Sequence, residues 1–201
     1  MQSGDSSTPP SNPRGPNRVS NSPLQLGGTS FRTHRLVEFN SEKWGYKPTL
    51  GALLFATAFM GFFAVPVILF DLYNWSEFSD RPVAEQLGLG LFLLFPIGSI
   101  IMMYQLMMPR IFDRRNQVYL HGFKKGTSRK EIPFADIYAL QILQEYIPSG
   151  GNRKRGYHSY ELNIVRKDGS RENVIDHSNL DVIREEAQRL GQFMGVPVLS
   201  S

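Results

Sequence analysis

Seven basic side chains carry the sharpest chemical signal in this chain of 201 residues: Lys124, Lys125, Arg129, Lys130, Arg153, Lys154 and Arg155. They fall in two turn-rich stretches, Lys124–Lys130 and the segment just after Ser149-Gly150-Gly151-Asn152. Near an anionic membrane surface each exposed cation adds roughly 1 kcal/mol of attraction. These loops are therefore candidates for contact with anionic lipid headgroups or an acidic partner. The bland alternative is a solvated set of charges that serves solubility alone. Other reactive residue types form no comparable pattern. His34, His121, His158 and His177 are scattered, whereas a metal needs three or four convergent ligands. The chain has no cysteine, which removes disulfides, thiolate nucleophiles and Cys-based metal sites together. Its Ser and Asp residues lack nucleophile-elbow or triad spacing, and it has no glycine-rich phosphate loop. The expectation is no catalytic residue, no metal and no cofactor. Nucleic acid is not expected either, because the basic residues lack a stacking aromatic platform.

The elements that must position these loops are organised by two long uncharged runs, Thr49 to Phe70 and Leu87 to Met108. A bilayer core takes roughly 20 apolar residues of helix, so the sequence predicts a transmembrane helix hairpin over 49–109, with spans at about 49–70 and 87–109. Lys and Arg near the spans set orientation. Arg32, Arg35, Lys43 and Lys47 precede the first run, and Arg110, Arg114, Arg115, Lys124 and Lys125 follow the second. The loop between them offers only Arg81. The expected localisation is an integral membrane protein of a bacterial inner or thylakoid-type membrane, both termini cytoplasmic. Its expected partners are the lipid bilayer and other membrane proteins. No charge lies within either run, so the spans read as an anchor rather than an ion path.

Residues 1–30 are rich in Ser, Pro, Asn and Gly and nearly free of apolar side chains, which predicts a disordered tail. Residues 31–48 interleave Phe31, Leu36, Phe39, Trp44 and Tyr46 with basic residues. They read as an interfacial lead-in, either partly helical or pairing with the later domain. From Arg110 the period shifts to that of strands. Val118 and Leu120 alternate, with Phe123 a candidate further member, Tyr160, Leu162 and Ile164 alternate as well, and Lys167-Asp168-Gly169-Ser170 makes a hairpin turn. Leu180, Ile183, Ala187, Leu190 and Met194 form one helical stripe. Ser178 or Asn179 is its cap, and Gly195 and Pro197 its end.

Meandering strands closed by an amphipathic helix resemble a pleckstrin-homology-like (PH-like) domain. The resemblance rests on Ile132-Pro133-Phe134-Ala135-Asp136-Ile137, the Tyr160–Val165 strand, the Lys167-Asp168-Gly169 turn and the helix running into Gly195-Val196-Pro197. It implies a membrane α+β fold: an N-terminal transmembrane hairpin, then a PH-like antiparallel sheet or partial barrel over 110–201 with a C-terminal amphipathic helix. With Arg110-Ile111-Phe112-Asp113-Arg114, the layout from about residue 40 onward is similar to the photosystem I assembly factor family of cyanobacteria and chloroplasts. That similarity implies a non-catalytic accessory or scaffold protein that assists assembly or stability of a membrane complex.

Overall fold

Strand pairing begins earlier in this chain than its periodicity places it. The computed structural model describes residues 19–24, 28, 30–67, 69, 81–123, 129–148 and 156–200. Strands β1 (His34–Asn40) and β2 (Lys43–Pro48) form a hairpin. Helices α1 (Leu50–Val67) and α2 (Val83–Met107) follow, then β3 (Arg110–Asp113), β4 (Val118–His121) and β5 (Lys130–Pro133). These five strands make one antiparallel sheet in chain order. A 3-10 turn at Phe134–Asp136 leads into β6 (Ile137–Pro148), β7 (Gly156–Arg166) and β8 (Arg171–His177). Helix α3 (Leu180–Met194) and β9 (Val198–Ser200) close the chain. The second sheet has the order β8-β7-β6-β9, with β9 parallel to β6 and the other pairs antiparallel.

Of the two alternatives for residues 31–48, the chain adopts pairing. Trp44 lies opposite Phe112 and Gly45 opposite Ile111, so β2 joins β3 across the helices that separate them in sequence. A glycine is required there, because a Cβ on Gly45 would overlap the Arg110 carbonyl and lie 2.9 Å from the Phe39 ring.

Both sheets and α3 enclose one core. On the five-stranded sheet, Phe112, Tyr119 and Ile132 stand opposite one another across β3, β4 and β5, all fully buried. The Phe112 and Tyr119 ring centroids are 4.8 Å apart. Val118 and Leu120 do alternate, but they take the half-buried face, and the larger residue between them takes the core. On the second sheet Leu140, Ile142, Leu162 and Ile164 point inward. A register shift opposite Leu162/Asn163 gives β8 an extra residue, which lets the neighbours Val174 and Ile175 both enter the core. Helix α3 covers this layer with Ile183, Ala187 and Leu190, one side of an amphipathic helix. The Asn179 side chain accepts the Val182 N–H at 3.1 Å to start it, and Gly195 at φ 75° ends it.

Among the described residues no helix is long and apolar enough to cross a membrane. The 18 residues of α1 rise about 27 Å at roughly 1.5 Å each, short of a hydrocarbon core of roughly 30 Å. Helix α2 has 25 residues, but it opens on Glu85 and Gln86 and is diluted by Gly88, Pro96, Gly98 and Ser99. The expected transmembrane hairpin is corrected on this ground. With it go integral membrane localisation in a bacterial inner or thylakoid-type membrane and the orientation with both termini cytoplasmic, since the orientation rule presupposes spans. In place of that layout the chain is an α+β fold of two sheets, in which α1 and α2 pack mainly on each other. Among the described residues of that helix pair, the buried ones are the small Ala52, Ala56 and Ser99. The PH-like sheet following the helices is corrected too: two strands of the five-stranded sheet precede them, and β9 adds a parallel pair. Residues 1–18 of the expected tail and the acidic loop at 71–80 lie outside the described residues.

Candidate functional site

Strand register builds a row of basic side chains at one end of the five-stranded sheet. Arg110 of β3 lies opposite His121 of β4, and His121 lies opposite Lys130 of β5. Directly opposed residues in antiparallel strands sit roughly 5 Å apart, so three donors line up without being near in sequence. Strand β8 faces them with Glu172 and Asp176, and the last turns of α2 supply Met102, Gln105 and Leu106. Together with His34 at the start of β1 and Leu24 from the N-terminal segment, these groups line a cleft of about 700 Å³.

Its charges are partly paired. Lys130 Nζ donates to both Glu172 oxygens, at 2.8 and 2.9 Å. His121 Nδ1 stands 3.5 Å from Glu172 Oε1, an ion-pair distance too long for a good hydrogen bond. These two partners, His121 first and then Lys130, hold the Glu172 carboxyl down to about 2 against its burial. Asp176 moves the other way. Burial raises it and the nearby Glu161 and Glu145 charges add to the rise, while an Asn173 hydrogen bond and Arg110 restrain it.

His34 is the most perturbed imidazole. Burial, then the neighbouring Arg110 cation, push it down to about 4 against the pull of the Leu106 carbonyl, so it is neutral at pH 7. Its Nε2 lies 3.0 Å from both that carbonyl and the Arg110 guanidinium. It serves one at a time, donating to the carbonyl when protonated and accepting from Arg110 when bare. Burial lowers Arg110 itself, and its Nε is buried without a hydrogen-bond partner, as is His121 Nε2. The cleft thus holds unused donor capacity beside apolar Met102, Leu106 and Ile175. Chemically it can accept an anionic oxygen carried on an apolar body. Among the described residues no three His, Asp or Glu side chains converge as a metal site would require.

Of the seven basic residues singled out in the sequence, two lie among the described residues. Lys130 is in the cleft, and Arg129 Nε pairs with Glu131 at 3.4 Å. Both are engaged with carboxylates rather than free. Lys124, Lys125, Arg153, Lys154 and Arg155 lie outside the described residues. Sequence reasoning missed His34, Arg110, His121, Glu172 and Asp176 as a group. Their signal was an ionisable residue at or near the end of several strands, which becomes a site only once the register is known.

No protein-family model matches the chain, and no curated protein matches it.

Proposed function

We propose that this chain is a non-catalytic accessory or scaffold protein that assists assembly or stability of a larger protein complex. Its partner surface is the helix pair α1–α2, and the partner presents apolar helices to it. One observation carries the reading. Leu50, Leu54, Leu87, Leu91, Leu94 and Ile97 are each more than half exposed on that pair. Exposed apolar side chains repeated at helical spacing, as at Leu87, Leu91 and Leu94, mark an interaction site. The chemistry of the partner follows from the helices themselves. No charge lies from Leu50 to Val67 or from Leu87 to Met107, so charge matching has no foothold there. Gly51, Gly61, Gly88 and Gly98 each face open space where a Cβ would stand, leaving notches for close helix approach. The resemblance of Arg110–Arg114 and Gly195-Val196-Pro197 to the assembly-factor family, read from the sequence, implies the same kind of role. In the cleft, Lys130 and Glu172 are occupied by each other, which fits a binding or bracing role better than bond-making chemistry.

The test is a triple exchange of the exposed stripe, Leu87→Ser with Leu91→Ser and Leu94→Ser, in the tagged full chain expressed in its native cells. After mild cross-linking, native chain should elute with a stoichiometric partner subunit. The variant should lose at least tenfold of it while melting normally. A complex containing only this chain, or unchanged partner recovery by the variant, refutes the reading.

A further inference from the structure

The face of β6, β7 and β8 turned away from the core carries polar side chains that are nonetheless buried: Gln141, Ser159, Glu161 and Asn163. Buried polar groups are costly unless partners are supplied. Here the cover is the chain's own N-terminal segment. The Glu161 carboxylate accepts the Leu24 N–H, at 2.9 and 3.2 Å to its two oxygens. Gln141 Nε2 and Arg171 donate to the Ser20 carbonyl at 3.1 and 2.9 Å, and the Tyr157 hydroxyl donates to the Gly28 carbonyl at 2.9 Å. Among the described residues one side-chain contact, Gln141 Nε2 donating to Asn21 Oδ1 at 3.2 Å, joins them.

Among the described residues the face therefore grips mainly main-chain groups, at Ser20, Leu24 and Gly28. It makes a demand on sequence at Gly28, where a Cβ would overlap the Ser159 side chain. Beneath lies Asn163, fully buried with neither side-chain amide atom hydrogen-bonded. The face has more polar capacity than its present cover uses. Residues 19–30 carry no charge, so the gripped chain is uncharged.

We propose that this face is a docking track for an uncharged, glycine-bearing peptide gripped through its main chain, and that Ser20–Leu24 together with Gly28 occupy it in cis as a displaceable strap. A strap tied through a few hydrogen bonds can be lifted by a competitor that makes the same bonds. Its linkage in the same chain still gives it an effective concentration on the order of millimolar, which a competing peptide must overcome. Leu24 also lines the cleft, so lifting the strap opens both surfaces together.

The experiment uses the full chain, the Gly28→Ala variant, and a Gly28→Ala, Ser159→Gly double variant that moves the missing side chain to the other partner. The Leu24 amide should exchange with solvent at least tenfold more slowly in the native chain than in Gly28→Ala, and the double variant should restore its protection. A labelled peptide of residues 19–30 should bind Gly28→Ala at least tenfold more tightly than the native chain, whose track is filled. Equal Leu24 exchange in native and Gly28→Ala chains overturns the proposal. So does peptide binding that is equal in the two or absent from both. The position lies outside the core, so an unchanged melting curve checks that Gly28→Ala remains folded.

Discussion

His34 should make this protein acid-sensitive in a window where few other groups titrate. In the folded chain it is neutral down to about pH 4, because burial and the adjacent Arg110 oppose its protonation. In the unfolded chain it titrates near 6.5. A base whose folded value is depressed leaves stability intact above its unfolded value. That stability is lost as pH falls, because the unfolded state takes up the proton first. Lowering the pH from 7.5 to 4.5 should therefore cost about 2.5 kcal/mol from this one side chain, at about 1.4 kcal/mol per pH unit of difference. For a chain of this size that is a fall in Tm of about 5–10 °C. Two neighbours modify the slope. His177, also lowered by burial and by Arg32, adds to the loss, whereas the raised Asp176 opposes it by taking up its proton earlier when folded. Glu172, held at about 2, acts only below its ordinary range near pH 4.5. The assay is thermal unfolding at half-unit steps of pH for the native chain and for His34→Gln, which cannot take the proton yet keeps an acceptor for Arg110. The variant should lose most of the decline between pH 6.5 and 4.5. A variant whose Tm falls over that interval as steeply as the native chain refutes the reasoning.

Two further changes test the packing that positions the cleft. Gly45→Ala should destabilise by about 2 kcal/mol or more, because the added Cβ meets the Arg110 backbone rather than a side chain that can swing away. Urea denaturation gives the value, and a loss under about 0.5 kcal/mol would show that β2 and β3 are less closely apposed. Asn179→Ala should cost about 1 kcal/mol by removing the acceptor for the Val182 N–H at the start of α3. The same titration checks it, and Asn179→Asp should retain most of the stability.

The parts of the fold written in local sequence were the legible ones. Helix α3 announces itself by its stripe, its Asn179 cap and its Gly195 end, all within one stretch of chain. The turn between β7 and β8 is equally local: Asp168 accepts from the Ser170 N–H at 2.8 Å, and Gly169 sits at φ 86°. Strands β1 and β2 were ambiguous because Trp44 and Tyr46 among Lys43 and Lys47 suit a half-buried strand as well as an interface with lipid. Their partner is β3, and the Gly45–Ile111 pairing spans both helices. No local window contains that information. The uncharged runs misled for a related reason. Absence of charge is a necessary feature of a span, but length and hydropathy decide, and α1 stops at Val67 among the described residues. The cleft was illegible because Arg110, His121 and Lys130 become neighbours only through two successive registers.

The same registers explain why the helix pair can present a surface without carrying the body's stability. Helices α1 and α2 form one excursion between adjacent strands β2 and β3, so both ends of the pair are fixed beside each other. At one end the Thr49 N–H bonds the Thr33 carbonyl at 2.9 Å; at the other, the Tyr104 and Phe123 rings sit 5.2 Å apart and the Gly122 N–H reaches the Pro109 carbonyl at 3.0 Å. The body closes elsewhere, by joining the first strands to the last helix. Arg32 bonds the buried Glu186 at 2.6 Å, and the Leu36 N–H reaches the same carboxylate at 3.2 Å. Arg189 pairs with Glu38, and Trp44 stacks on Phe193 with centroids 4.7 Å apart. Substitutions on the outer face of α2 therefore leave these ties intact, whereas a break at Glu186 loosens β1 from α3. That separation gives the triple leucine exchange its meaning: lost partner binding with an unchanged melting curve can come only from the surface and not from an unravelled body.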